Sequence, residues 1–421
     1  MRYSPFQIPI SPICNGRVSI LHIDLQSENF KINFMKTTLL KSIFVVLIST
    51  LFVFAKCENR TTDQKSDQHT QSQLTEETPK IQVAILLDAS NSMDGLINQA
   101  KARLWGIVNT LTTLKFNNKT PTIEIALYMY GNDGLPSSEG YIRQILPFTR
   151  DLDLISAKLF SITTYGGSEF CGTVIKHSLD HLDWDKSEKS MKLIYIAGNE
   201  PFTQGSVNYR NAVGNAVEKG VFVNTIHCGT HEEGISGFWQ DAAIRGNGKY
   251  FSINSNKEIR YIITPYDDMI SQCNVRLNNT YIYYGTSGTA YYSNQTQQDQ
   301  NAAQFSTANV VERTVSKSKK EVYDNSSWDV VDNVKKNSKF LEEVDKETLP
   351  KEYQNLTTEQ LQKEIENKIK EREQIQKEIQ DLAIKRQAYI DQKMKEEKTE
   401  DDFGLAITTS IKEIAKIKGY E

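Results

Sequence analysis

The sequence predicts an α/β fold, in which a doubly wound, mostly parallel sheet of the Rossmann-like kind is followed by a C-terminal helical extension. Residues 83–87, within a strand expected at 81–87, form an apolar run without polar alternation, which is typical of a strand covered on both faces. From residue 81 to about residue 265 such runs alternate with amphipathic segments. This alternation is typical of parallel strands joined by crossover helices.

The individual elements follow from the same patterns. We expect strands at residues 81–87, 123–130, 141–148, 191–197, 221–227 and 249–253, the third of them a short edge strand. We expect helices at residues 93–111, 151–160, 169–182, 234–245 and 258–269, the last of which would close the domain.

Beyond residue 270 the chain changes character. Residues 281–307 are rich in Tyr, Asn, Gln, Ser and Thr and are expected to be irregular, and residues 321–334 a small helix. Residues 357–398 predict a long helix, either a solvated helix lying along the domain or an oligomerising coiled coil. Lys368, Arg372 and Arg386 fall where a coiled-coil seam needs apolar residues, which favours the first interpretation. A short terminal helix is expected at 403–418.

Composition restricts the class of protein. The 421 residues are 38% hydrophobic and carry a formal net charge of -4, which permits one or two folded domains. Nucleic-acid binding usually requires an excess of basic residues, so no nucleic-acid partner is expected.

The N-terminal region resembles an export signal that starts at an internal methionine. Lys36 and Lys41 follow Met35, and residues 42–55 are almost wholly apolar, as in the charged and hydrophobic parts of a signal peptide. The run is shorter than the roughly 20 residues of a membrane-spanning helix. We therefore expect an exported protein whose translation starts at Met35.

Cys57, just after the apolar run, resembles the lipidated cysteine of bacterial lipoproteins, although Lys56 stands where a small residue is usual. Both lipidation at Cys57 and simple cleavage of the signal peptide remain open. Lipidation would anchor the protein in the cell envelope, whereas cleavage alone would leave it periplasmic or secreted. The expected organisation is an upstream extension (1–34), a signal peptide (35–57), a disordered tether (58–80), the α/β domain (81–270), an irregular polar region with short helices (271–356) and the helical end (357–421).

Three side chains that carry oxygen atoms follow the first strand. Asp88, Ser90 and Ser92 alternate along the loop, and alternate residues of an extended segment point the same way. Ligands of open α/β sheets bind at this carboxyl edge of the strands. A carboxylate with two hydroxyls suits a hard divalent ion such as Mg²⁺; the other interpretation is a helix start capped by Ser90 or Ser92.

The pentad Asp-Ala-Ser-Asn-Ser resembles the DxSxS metal-ion-dependent adhesion site of von Willebrand factor type A (VWA) domains. The resemblance implies a further hydroxyl after a Gly-Gly pair, which is Ser168 here, with Glu169 beside it. It also implies an aspartate after the fourth strand, but this chain has Gly198 there, followed by Asn199 and Glu200. Either of these two residues is a candidate additional ligand, directly or through water.

The resemblance implies a function as well as a fold. We expect an exported envelope protein that binds Mg²⁺, Mn²⁺ or Ca²⁺ at Asp88, Ser90, Ser92 and Ser168 and captures an acidic side chain of a protein or peptide partner. The alternative is a structural or scaffolding protein with a vestigial metal site, whose C-terminal helices make the contacts.

The cysteines leave two further interpretations open. Cys171 and Cys228 are expected near the same sheet edge, where they form either a disulfide or two buried thiols. A nucleophilic role for Cys171 would need His177, His181 or His227 as base, with Asp180 to orient it; His177 and His181, four residues apart, are also a conceivable metal pair. No catalytic signature frames these residues, so no enzymatic activity is expected.

Overall fold

The structure is a computed structural model that describes residues 79–257, 259, 261–396 and 403–421. The expected signal peptide, Cys57 and nearly all of the tether lie outside the described residues. No helix of the described part is long and apolar enough to cross a membrane.

A six-stranded sheet with the order β3-β2-β1-β4-β5-β6 forms the centre of the fold. Its strands are β1 (Lys80–Asp88), β2 (Thr122–Tyr130), β3 (Ile142–Thr149), β4 (Met191–Gly198), β5 (Val221–Cys228) and β6 (Asn247–Ile253). All neighbouring pairs are parallel except β2 and β3, which are antiparallel. The predicted fold class is therefore confirmed, and β3 is the expected edge strand.

Helices cover both faces of the sheet. The helices up to β6 are α1 (Asp94–Thr113), α2 (Leu152–Phe160), α3 (Cys171–His181), α4 (Tyr209–Glu218), α5 (His231–Ser236) and α6 (Trp239–Arg245). Ala84 and Leu86 point into an apolar cluster shared with α3, α4 and α6. Val83 and Ile85, which alternate with them, point to the other face and a cluster shared with α1 and α2. The unbroken apolar run of β1 is thus explained by burial on both sides.

The chain after β6 is more helical than expected. It forms α7 (Asp267–Asn278), α8 (Gly288–Ala303), α9 (Thr307–Lys317), α10 (Val330–Lys336), α11 (Phe340–Glu343), α12 (Lys351–Gln354), α13 (Thr358–Glu396) and α14 (Phe403–Ile417). The expectation of an irregular segment at 281–307 was wrong, because α8 occupies most of it. Its buried positions include Gln295, Gln298 and Asn301, which satisfy one another and their neighbours by hydrogen bonds. Apolar periodicity does not reveal such a face.

The arginines that interrupt the apolar pattern of α13 are buried by ion pairing. Arg372 Nη1 donates to Asp329 Oδ2 at 2.6 Å, and Arg386 Nε donates to Asp267 Oδ1 at 2.9 Å. The helix packs along α7 and α9, and its buried apolar residues are Leu361, Ile365, Ile375, Ile379 and Leu382. In the structure α13 therefore lies along the rest of the described chain.

The last helix returns to the central sheet. Helix α14 packs on α1, β6, β4 and β5, and Phe403 N donates to Gln99 Oε1 of α1 at 3.2 Å. Ser410 Oγ donates to Asn224 Oδ1 of β5 at 2.6 Å. The helix expected at 258–269 begins only at Asp267 and does not close the domain. The sheet is instead completed by residues 403–417, so a domain ending at residue 270 leaves out one of its covering helices.

Candidate metal centre

Asp88 forms the floor of the candidate site. It is the last residue of β1, it pairs with Tyr130 of β2, and its side chain is fully buried. Ser90 N donates to Asp88 Oδ1 at 2.8 Å, whereas Asp88 Oδ2 is buried without a hydrogen-bond partner among the described residues. An unpartnered buried carboxylate oxygen is costly, and a cation bound there would remove that cost.

The serine hydroxyls of the pentad lie together, as the alternation predicts. Ser90 Oγ and Ser92 Oγ are 3.3 Å apart, and Ser92 Oγ lies 3.5 Å from Asn199 Oδ1. A single 3-10 turn, Asn91–Met93, turns the chain here into α1. Neither serine makes a side-chain cap to this turn or to α1, so the capping interpretation of Ser90 and Ser92 was wrong.

The Gly-Gly loop lies against the pentad by backbone hydrogen bonds. Tyr165 N donates to Ala89 O at 2.9 Å, and Asn91 N donates to Gly166 O at 3.0 Å. The backbone of Ser168 pairs with Gly131, at the end of β2. Ser168 is half-buried, and its loop is held beside the floor of the site.

Glu169 brings a second buried carboxylate to Asp88. Its side chain is only 3% exposed, and burial, followed by the hydrogen bond and the charge of Asp88, raises the pKa of Glu169 to about 9. Burial also raises the pKa of Asp88. A Cβ on Gly131 would stand 2.7 Å from Asp88 Oδ1 and 2.8 Å from Glu169 Cγ. Gly131 therefore leaves the space in which the two carboxyl groups meet.

Gly198 has no room for the aspartate that the resemblance implies. A Cβ there would come within 2.6 Å of Tyr130 Oη and 3.0 Å of Asp88 Oδ2. Tyr130 Oη donates to Ala197 O at 3.0 Å, which holds the hydroxyl in that space. Residue 198 supplies no carboxylate, but Glu169, which lies on another loop, places a second carboxylate against Asp88.

Two features of the site had no signal in the sequence. Gln204 Oε1 accepts from Glu169 N at 3.3 Å, while Gln204 Nε2 donates to Glu200 Oε2 at 3.0 Å. The side-chain amide of Gln204 thus links Glu169 to Glu200. The buried Tyr130 hydroxyl is the second feature. The sequence pattern predicts only a core position for a tyrosine at the end of an apolar strand, and no role for its hydroxyl.

The three cysteines of the described residues do not pair with each other. Cys171, Cys228 and Cys273 are free and buried, so of the two interpretations of Cys171 and Cys228 the disulfide was wrong and the buried thiols are confirmed. Cys171 belongs to the apolar cluster on one face of the sheet and Cys228 to the cluster on the opposite face. The sequence placed both near one edge but did not reveal that the sheet separates them.

The histidines are not arranged as a base for Cys171. The Cys171 sulfur lies 3.7 Å from Tyr130 Oη, and burial raises its pKa well above the ordinary value, whereas a nucleophilic thiol needs a lowered pKa. His177 and His181 stack with ring centroids 3.9 Å apart, and both ring nitrogens of His227 are buried without a partner among the described residues.

The donor set at the floor is suited to a hard divalent cation. No group of three or more His, Cys, Asp or Glu side chains positioned to hold a metal occurs in the described ranges, so any ion here would need hydroxyl ligands as well. Asp88 and Glu169 supply carboxylates, and Ser90 and Ser92 supply hydroxyls. Mg²⁺ accepts such oxygen ligands and keeps several waters, so these residues fit the ion.

Comparisons with known proteins give matches among solved structures only. No family model and no curated protein matches the chain. An aerotolerance-related membrane protein from Bacteroides fragilis is 18% identical, over 42% of this chain and 93% of that one, with a TM-score of 0.30. BatB from Bacteroides thetaiotaomicron is 21% identical, over 41% and 90%, with a TM-score of 0.31.

A von Willebrand factor type A protein from Catenulispora acidiphila is 15% identical, over 42% of this chain and 39% of that one, with a TM-score of 0.32. In the order of its strands and in the DxSxS pentad at the carboxyl end of β1, the chain is similar to von Willebrand factor type A domains.

Proposed function

We propose that this chain is a protein-binding domain of the adhesion type, which uses a divalent ion to take an acidic side chain of its partner. The observation that carries the proposal is the buried, unpartnered Oδ2 of Asp88. It lies at the carboxyl edge of a mostly parallel sheet, the edge at which such sheets bind ligands.

The residues that would hold the ion are Asp88, Ser90, Ser92 and Ser168. Glu169 would act as a further ligand or hold a bound water, and Asn199, whose Oδ1 lies 3.5 Å from Ser92 Oγ, and the neighbouring Glu200 would join through water. The ion would be Mg²⁺, with Mn²⁺ and Ca²⁺ as alternatives. Because the pKa of Glu169 is raised to about 9 beside Asp88, a cation bound there would displace the proton of Glu169 and be balanced by two carboxylates.

Calorimetry of Mg²⁺ binding tests the metal site directly. We expect saturable binding to the wild-type chain at pH 7.5 and its loss in Asp88→Ala. Asp391→Ala, which removes an exposed aspartate from α13, is the matched control and is expected to bind like wild type. Equal Mg²⁺ binding by wild type and Asp88→Ala, or no binding by wild type, would contradict the proposal.

We further propose that the protein acts outside the cytoplasm, on the polar tether of residues 58–80. Lipid on Cys57 and cleavage by a signal peptidase give mature chains of different mass. Intact mass spectrometry of the protein recovered from cells distinguishes them, and a chain that still begins at Met1 would contradict the export proposal. We propose no catalytic role for any residue.

The second candidate function is a scaffold whose metal site is vestigial. The absence of a carboxylate at Gly198 favours it, since fewer charges hold an ion less tightly. Deleting residues 357–421 would not test this, because α14 covers the sheet. Recovery of a partner from cell envelopes with wild type, with Asp88→Ala and with chelator is a better test. Unchanged recovery in all three favours the scaffold.

A further inference from the structure

The loops that follow β1, β2, β4 and β5 and the loop before α3 contain acidic residues and no lysine or arginine, whereas the loop after β6 at the same edge contains Lys257. We define the rim as residues 88–94, 131–140, 163–170, 198–208 and 229–238, the loops at the carboxyl edge of β1, β2, β4 and β5 and the loop before α3. The rim contains no lysine or arginine, although the whole chain has 49 of them against 53 aspartates and glutamates. Its acidic residues are Asp88, Asp94, Asp133, Glu139, Glu169, Glu200, Glu232 and Glu233.

Most of this charge is not neutralised within the described residues. Asp88 and Glu169 form the buried floor, and none of the other six carboxylates of the rim forms an ion pair with a lysine or arginine of the described residues. The nearby Arg210 is paired with Asp241, at 3.4 Å. A divalent ion would offset the floor and leave the surrounding field negative.

Exposed aromatic side chains accompany the carboxylates. Tyr165 is 59% exposed in the loop that bonds to Ala89. Phe238 is 40% exposed in the left-handed region at φ +67°, and it follows Gly237, whose carbonyl accepts from Phe202 N at 2.8 Å. The guanidinium carbon of Arg210 already lies 5.8 Å from the centre of the Phe238 ring, so Tyr165 offers the aromatic face for a lysine or arginine side chain of a partner.

We infer that the partner is a protein segment whose ion-binding carboxylate is surrounded by lysine or arginine residues. The inference rests on the proposed function and adds the character of the partner to it. An acidic segment without basic neighbours would be repelled by the five exposed carboxylates of the rim and the half-buried Glu200, whereas basic neighbours would be attracted by these carboxylates and by Tyr165. The buried Asp88 oxygen fixes the position of the partner's carboxylate, and the rim selects its surroundings.

Three fluorescent peptides test this on the full chain with Mg²⁺: Lys-Lys-Gly-Asp-Gly-Lys-Lys, Glu-Glu-Gly-Asp-Gly-Glu-Glu, and the first with Asn in place of Asp. We expect the first to bind at least about tenfold more tightly than the second at low salt, with the ratio falling as salt screens the charges. We expect the Asn peptide to lose Mg²⁺-dependent binding.

Variants that remove negative charges test whether the preference for the basic peptide arises from the rim. The double variant Asp133→Asn/Glu232→Gln is expected to reduce the preference for the basic peptide by about half or more. Glu342→Gln/Glu343→Gln, in the exposed part of α11, is the control and should keep the wild-type ratio. Circular dichroism and Mg²⁺ calorimetry verify that the variants are folded.

The outcomes separate the two claims. Binding that requires Asp and Mg²⁺ but shows no preference for the basic peptide, or favours the acidic one, overturns this inference and leaves the proposed function standing. Binding that requires neither Asp nor Mg²⁺, or no binding of any peptide at millimolar concentration, overturns both.

Discussion

At the residue scale, Gly198 and Tyr130 account for the way in which this site departs from the pattern that its sequence resembles. The Tyr130 hydroxyl bonds to Ala197 O and occupies the space where a side chain at residue 198 would begin. Glycine is thus required for steric reasons, and the loss of the aspartate is coupled to the presence of the tyrosine.

We expect Gly198→Ala to destabilise the protein by about 1–3 kcal/mol, because its Cβ overpacks against Tyr130 and Asp88. Adding Tyr130→Phe should recover part of the loss, since it removes the oxygen at 2.6 Å. Urea unfolding monitored by fluorescence measures both variants.

The control for this prediction is Gly214→Ala in the middle of α4, where an added Cβ meets nothing within 4 Å. Replacing a glycine in a helix interior by alanine should stabilise the protein by roughly 0.5–1 kcal/mol. The two substitutions are therefore expected to change the free energy of unfolding in opposite directions. If Gly198→Ala left the free energy of unfolding unchanged, the site would be able to relax around the added Cβ.

At the scale of elements, the helices of the extension are joined by buried charges. Arg313 of α9 donates to Asp153 of α2 at 2.6 Å and to Asp299 of α8 at 2.5 Å. Lys317 Nζ, fully buried, lies 3.1 Å from Asp299 Oδ2. Removing one partner of such a group would leave an uncompensated buried charge.

These networks explain what the sequence predicted and what it did not. The pattern of apolar residues placed β1, β2, β4, β5 and α1 closely, because their burial is apolar and periodic. It did not predict α8, because the buried face of that helix is made of amide side chains. It also did not predict that Arg372 and Arg386 of α13 are buried, because the aspartates that pair with them are distant in the sequence. Likewise it placed Asp88, Ser90 and Ser92, which are local, but gave no sign of Gln204 or Tyr130.

The network containing Asp299 predicts a dependence of stability on pH. Burial alone would raise the pKa of Asp299, but the charges of Lys317 and Arg313 hold it below the ordinary value. Since the folded pKa is lower than the unfolded one, this contribution to stability is present above about pH 4 and is lost as the pH falls further. Each titrating group of this kind adds a slope of up to about 1.4 kcal/mol per pH unit.

Asp299→Asn should therefore lower stability at pH 7 and flatten the fall in stability between about pH 4 and pH 2. Urea unfolding across this range measures the slope. Asp391→Asn, on an exposed position of α13, should leave both stability and slope unchanged. An identical slope in wild type and Asp299→Asn would contradict this role for Asp299.

At the scale of the whole molecule, the sheet and the C-terminal region form one packed body. Helix α14 covers the same face of the sheet as α1, and the chain leaves the sheet after β6 and returns to it only at Phe403. The C-terminal region is therefore part of the α/β domain as well as a candidate contact surface.

Two isoleucines of α14 test this arrangement. Ile411 is fully buried and Ile417 is 68% exposed. Ile411→Ala is expected to destabilise the entire protein in a single transition by about 2–5 kcal/mol, while Ile417→Ala should change stability by less than about 0.5 kcal/mol. A separate early transition in Ile411→Ala, with the sheet still intact, would show that α14 is an independent unit.

The return of α14 also bears on how the chain acquires its fold during synthesis. Gln99 and Phe403 are in contact although 304 residues separate them in the sequence, and contacts of such long range slow folding. A ribosome adds about 5–20 residues per second, so α1 would wait roughly 15–60 seconds for the helix that covers it. During that interval the apolar face of α1 that α14 covers stays open to contact with other chains.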